Sequence, residues 1–109
     1  MPWLVRDGDV LAAAEVAGSA KERRRGLLGR DAIEGAFVLR PCRSVHTVRM
    51  RFAIDVAFCD PEGVVLRTVT LAPWRVSPWV RRAAFVIEAE SGAFDRWRLH
   101  VGDRVELRL

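Results

Sequence analysis

The stretch VRMRFAIDVAF, residues 48–58, decides the fold class. Its even positions are Val48, Met50, Phe52, Ile54, Val56 and Phe58, an unbroken apolar face at period two. Period two is the signature of a strand with one face in the core. The odd positions carry Arg49, Arg51, Ala53, Asp55 and Ala57. The spacing therefore predicts a strand over 48–58. DPEG, residues 60–63, follows with Pro and Gly where a tight turn wants them. VVLRTVTL then returns, which predicts a hairpin.

Further strands are expected outward from this hairpin. AFVL (36–39) and AFVIEAE (84–90) are short apolar runs, and DRVELRL closes the chain with Val105, Leu107 and Leu109 facing inward. APWRVSPWVRR (72–82) holds two prolines and two tryptophans and reads as an ordered loop. The clearest helix signal is GSAKERRRGLLGRD. Ser19 and Glu22 have capping-box spacing, residues 20–28 are mostly good helix formers, and Gly29 suits a left-handed cap. Leu27 and Leu28 would face the core and the Arg23, Arg24, Arg25 run would face water. SGAFDRWRLHVGD predicts a short helix and a turn at Gly102 and Asp103. At least five strands with one or two helices imply a single α+β domain over residues 1–109. Its sheet should be mostly antiparallel and curved or barrel-like.

Composition agrees. A chain of 109 residues buries roughly 65% of its unfolded surface, enough for one core. It is 50% hydrophobic and 29% charged, a globular balance. No apolar run approaches the ~18 residues that span a bilayer, so membrane insertion is not expected. No leader-like segment is evident, and a cytoplasmic location is expected. Cys42 and Cys59 lack paired-motif spacing and are expected to be free thiols. The net charge is +4, and seventeen of eighteen basic residues are Arg, which suits phosphate and carboxylate recognition. These basic residues are spread along the chain among fourteen acids, a weak footprint for nucleic acid.

RRRGLLGRD, CRSVHTVRMRFAIDVAFCDPEGVVL, LAPWR, VIEAESG and LHVGDRVEL occur in that order. Together they resemble the domain of unknown function 192, a family of bacteria and archaea. The likeness runs from about residue 10 to the end and is most specific at His46, Thr47, Met50, Arg51, Ile54, Asp55 and Phe58. Gly26, Leu27, Arg30, Pro73, Gly102 and Asp103 also fit. The resemblance implies a compact β-rich fold and supplies no reaction. Two positions depart from the family pattern. Ala53 stands where proline is common, and its N–H predicts a more continuous strand. Arg49 stands where glycine is frequent before the methionine and adds positive charge.

Three chemistries are weighed against plain structural roles. Cys42, His46 and Met50 recur at steps of four, but on an extended chain each step spans ~13 Å. Metal donors must lie within ~2–2.5 Å of one ion. Met50 reads as core, and neither a metal nor another cofactor is expected. His46 and Asp55, with the Thr47 hydroxyl, are candidates for general acid–base work in a small hydrolase or transferase. Against this, Asp55 satisfies donors at a turn or pairs with an arginine such as Arg30. Arg49 and Arg51 share its parity on an unbroken strand. Binding is the third reading. Trp74, Arg75, Trp79, Arg81 and Arg82 crowd one loop, and Trp and Arg dominate interaction hot spots.

The preferred reading is a binding module for a small anionic ligand or an acidic protein. Its candidate site lies where His46, Thr47, Arg51 and Asp55 approach the Trp74 loop, with Arg30 and Arg75 as further ligand-binding candidates. The enzyme is the alternative, and a nucleic-acid-binding module comes third. Monomer and dimer both stay open.

Overall fold

A computed structural model describes residues 2–109. The elements in chain order are β1 (Trp3–Arg6), β2 (Asp9–Ala17), α1 (Ala20–Arg25), β3 (Ala36–Leu39), β4 (Ile54–Cys59), β5 (Val65–Leu71), β6 (Phe85–Glu90), α2 (Ala93–Trp97) and β7 (Val105–Arg108). The strands form one sheet in the order β5-β4-β6-β3-β2-β1-β7. β2 and β3 run parallel. The other neighbouring pairs are antiparallel. This is the α+β, mostly antiparallel sheet that the strand patterning implies.

The sheet curves until its outer strands touch, but it does not close as a barrel. β5 and β7 meet at one corner, through the isolated bridge between Val64 and Arg104. There the Val65 N–H donates to Asp103 O and the Val105 N–H to Gly63 O, both at 2.8 Å. Gly63 makes this approach possible. It has φ +88°, and a Cβ there would lie 2.1 Å from Val105 O. Only glycine fits such a contact.

β4 is buried along its whole length, and β6 along all but its last residue. Successive side chains of a strand point to opposite faces, and here both faces are covered. Ile54, Val56, Phe58 and Val86 pack with Phe37 and Leu39 on one side. Ala57, Cys59, Ile87 and Ala89 pack with Val38 on the other. A strand at the centre of such a sheet reads as a nearly continuous apolar run.

Several expectations need correction. The strand starts at Ile54, not at residue 48. Arg49 has φ +66°, and the Met50 N–H donates to Thr47 O at 3.0 Å, so 48–50 is a turn. A left-handed residue cannot sit in a pleated strand. The Ala53 N–H therefore extends nothing. Met50 is buried and Phe52 partly so, but they reach the core from a loop. α1 has its capping box and then ends at Gly26, earlier than Gly29. Leu109 is 98% exposed and does not face inward. The β1–β2 hairpin, turning at Asp7 (φ +50°) and Gly8 (φ +83°), was not foreseen.

The 72–82 segment is ordered because its backbone pairs with 43–47. The Val80 N–H donates to Arg43 O (2.9 Å), the Ser77 N–H to Val45 O (2.8 Å) and the Thr47 N–H to Arg75 O (2.7 Å). The two loops thus make an irregular ribbon beside the sheet.

Candidate functional site

A cavity of about 510 Å³ lies between α1, the end of β3 and this ribbon. Leu27, Leu39, Val45 and Met50 give it apolar walls. Glu88 lines it from β6. Glu88 stands opposite Phe37 on one side and Val56 on the other, in the middle of the sheet. Its main chain is held by two ladders, so its side chain must share the face of Val86. The residue is 4% exposed. Its carboxyl enters none of the hydrogen bonds among the described residues, yet no fully enclosed side-chain polar atom lacks a partner. The accessible remainder of the carboxyl therefore opens into the cavity. Burial pushes Glu88 up to about 8. At neutral pH it is mostly the neutral acid, a hydrogen-bond donor.

Cys42 lines the same cavity. Its Sγ donates to Ser44 O at 3.2 Å. Burial pushes this thiol up; the charge of Glu88 adds to the shift, and Arg23 opposes it. The thiolate is the nucleophilic form, so Cys42 is a protonated wall residue at neutral pH. Cys59 lies in the opposite core, pushed up to about 12 by burial and then by the charge of Asp60. Both cysteines are free.

Arg23 and Arg24 form the basic rim. Arg23 is not merely solvated. Its Nη1 donates to Gly18 O (2.7 Å) and Arg40 O (3.3 Å), which holds the guanidinium over the cavity edge. Arg24 is exposed, and neither arginine has a carboxylate partner among the described residues. His46 completes the rim. Its Nδ1 accepts the Val48 N–H at 3.2 Å.

The structure brings together only part of the site expected from sequence. His46 bridges to Val76, and Thr47 clips the Trp74 loop. The fully buried Thr47 Oγ1 donates to Ala72 O (2.6 Å) and accepts the Arg75 N–H (2.9 Å). That hydroxyl is occupied as a brace. Trp74 and Arg75 are exposed beside it.

Asp55 lies elsewhere. Its Oδ1 accepts Thr70 Oγ1 (2.8 Å), and its Oδ2 accepts the N–H groups of Gly92 (3.0 Å) and Phe94 (3.2 Å). It thereby ties β4 to the start of α2. Its cavity, of about 550 Å³, is shared with His100 and not with His46. Of the three arginines weighed as partners of Asp55, Arg51 pairs with Asp31 (2.5 Å) and Arg30 with Glu15 (2.6 Å), while Arg49 has no carboxylate partner among the described residues. Arg30 also stacks over the Phe37 ring at 5.3 Å. Arg51 and Phe52 bend before β4 begins at Ile54, so the strand parity that would have aligned Arg51 with Asp55 does not hold.

Cys42, His46 and Met50 do line one cavity, because the loop folds them together. Among the described residues, no three His, Cys, Asp or Glu groups are arranged to hold a metal. Glu88, Arg23 and Arg24 were not singled out as ligand-site candidates from sequence, and Cys42 was weighed only as a metal ligand. The available signal was Glu88 itself, an acid at the inward parity of Val86 within FVIEAE.

Comparison with known proteins places this geometry in a family. The chain is 31% identical over 97 residues to a UPF0127 protein of Pyrococcus abyssi, covering 84% of this chain and 83% of that protein. A UPF0127 protein of Pyrococcus furiosus is 38% identical over 63 residues, 58% of this chain and 54% of the relative. Two crystal structures share the fold. A protein of unknown function from Novosphingobium aromaticivorans has TM-score 0.81 at 20% identity, covering 96% of this chain and 82% of that one. A protein described as a candidate transcription regulator from Sinorhizobium meliloti has TM-score 0.82 at 19% identity, covering 97% and 91%. A profile of the DUF192 family, described as Uncharacterized ACR, matches residues 4–107, and the chain belongs to that family.

Proposed function

We propose that the domain is a binding module for a small anionic ligand with an apolar body, held in the Glu88 cavity. The observation that carries this reading is Glu88 itself. A carboxyl in the middle of a sheet, opening into a cavity without a protein partner, costs stability unless something else uses it. The apolar walls suit a ligand body, and the unpaired Arg23 and Arg24 rim suits an anionic head. Glu88 as a neutral acid then donates to an acceptor at the ligand's inner end. The cavity volume of about 510 Å³ falls in the range of small-molecule sites. The two free thiols support a reducing, cytoplasmic setting.

The test is calorimetry and thermal shift with 8-oxononanoate and 4-acetylphenyl phosphate as probes, each an anionic head on an apolar body that ends in a carbonyl acceptor. Saturable binding is expected. Arg24→Ala should weaken it by about tenfold, the loss of one charge-assisted contact. Glu88→Gln, which keeps a donor, should retain binding, whereas Glu88→Met should lose it. Raising the pH through 8 should weaken it as Glu88 ionises. Binding indifferent to Arg24→Ala and to pH, or no binding to either probe, would overturn the reading.

A further inference from the structure

The ribbon carries a feature independent of the cavity. Residues 41–53 and 72–83 contain six arginines, one histidine and no acid. The rest of the chain holds twelve basic and fourteen acidic residues, a balance of −2. The net +4 of the chain is therefore the residue of a sharp asymmetry that a linear reading spreads out. Of the six arginines only Arg51 pairs with a carboxylate; Arg43, Arg49, Arg75, Arg81 and Arg82 have no such partner among the described residues.

The same ribbon displays most of the large apolar groups exposed away from the chain ends. Trp74 is 61% exposed, Val76 70% and Trp79 69%. The pairing explains why they face out. Val45, Thr47 and Ser77 turn inward, where Ser77 Oγ accepts the Val45 N–H (2.9 Å) and donates to Pro78 O (2.9 Å). The bridged residues His46 and Val76 are left outside. Ring and aliphatic groups held in water by a braced backbone are unusual unless something covers them.

We propose that this ribbon docks the domain peripherally on an anionic lipid surface. Trp74, Val76 and Trp79 enter the headgroup layer, where indole rings are favoured. The unpaired arginines sit over the lipid phosphates, each contributing about fivefold to affinity. The domain rests on the surface; no described helix is long and apolar enough to cross it. A nucleic acid fits less well, because stacking takes indoles and leaves Val76, the most exposed of the three, uncovered. An acidic protein would match the charge, and it is the second competitor in the test.

The test is co-sedimentation of the full chain with vesicles of phosphatidylcholine alone and of phosphatidylcholine mixed with phosphatidylglycerol. Tryptophan emission is followed in parallel. Binding to the mixed vesicles only, with a blue shift and a loss on adding salt, is expected. Arg81→Glu/Arg82→Glu should weaken binding more than tenfold. Trp74→Ala/Trp79→Ala should abolish the blue shift and most of the binding while leaving the Tm nearly unchanged, since both side chains are exposed. Three results would overturn the proposal: no binding to the mixed vesicles; binding retained in the double tryptophan variant; or oligonucleotide or polyglutamate binding at the ribbon without lipid binding. If the tryptophan variant unfolds, the charge-reversal variant and the salt series still decide.

Discussion

The Asp55 carboxylate accepts the Gly92 N–H at 3.0 Å, joining the start of strand β4 to the residue that caps α2. With Phe94 and Thr70 also donating to it, Asp55 has three hydrogen bonds and no charged partner. It is a buried brace in a segment where the sequence suggested acid–base chemistry.

Asp55→Ala should therefore destabilise the domain by about 2–4 kcal/mol, because three donors lose their acceptor. Asp55→Asn, which keeps one carbonyl oxygen, should cost less. Urea unfolding followed by far-ultraviolet circular dichroism measures both. A near-neutral Asp55→Ala would mean the donors find water and the brace is dispensable.

Glu88 predicts an inverse pH dependence. Burial raises it from 4.5 to about 8 in the folded state, so between these values the folded chain holds a proton that the unfolded chain releases. Stability is then full below about pH 4.5 and is lost as pH rises through about 8, at about 1 kcal/mol per pH unit. Glu88→Gln should remove this slope. Tm against pH for both proteins is the measurement, and parallel curves would show that Glu88 is not the group responsible.

Arg49 occupies a left-handed backbone position, φ +66°. Arg49→Gly should relieve that strain and stabilise the fold by about 0.5–1 kcal/mol, in spite of glycine's greater unfolded-state freedom. The departure from the family pattern at this position is then a cost carried by this chain. Chemical denaturation reads the sign directly; a loss of stability would show that the arginine side chain makes up for the backbone.

Gly63 is the opposite case. Gly63→Ala places a Cβ where Val105 O already stands, forcing the corner between β5 and β7 apart. A loss of more than about 2 kcal/mol is expected. Faster amide exchange at Val65 and Val105 would locate the damage at that corner.

Local signals were legible wherever a residue type and its neighbours suffice. The capping box of Ser19 and Glu22 formed as spaced. The 60–63 turn formed because Asp60 Oδ1 accepts the N–H groups of Glu62 and Val64, both at 2.9 Å. The β1–β2 hairpin was equally readable, since Asp-Gly is a strong hairpin turn signal. The alanine-rich run after it obscured the strand, because alanine has little strand preference. Residues 48–53 failed in the other direction. Their apolar alternation came from packing a loop under the sheet, which period two cannot distinguish from a strand.

The sequence by itself determined the class of fold and the family, because these follow from apolar pattern, turn chemistry and motif order. It also placed His46 and Thr47 next to the tryptophan loop. Tertiary structure alone decided which groups share a site. Parity tells that Glu88 points the same way as Val86. It does not tell that α1, the 41–46 loop and β6 enclose a cavity there, nor that Asp55 is used up by donors almost forty residues away in the chain. Those outcomes depend on contacts between distant segments, and no local spacing encodes where distant segments meet.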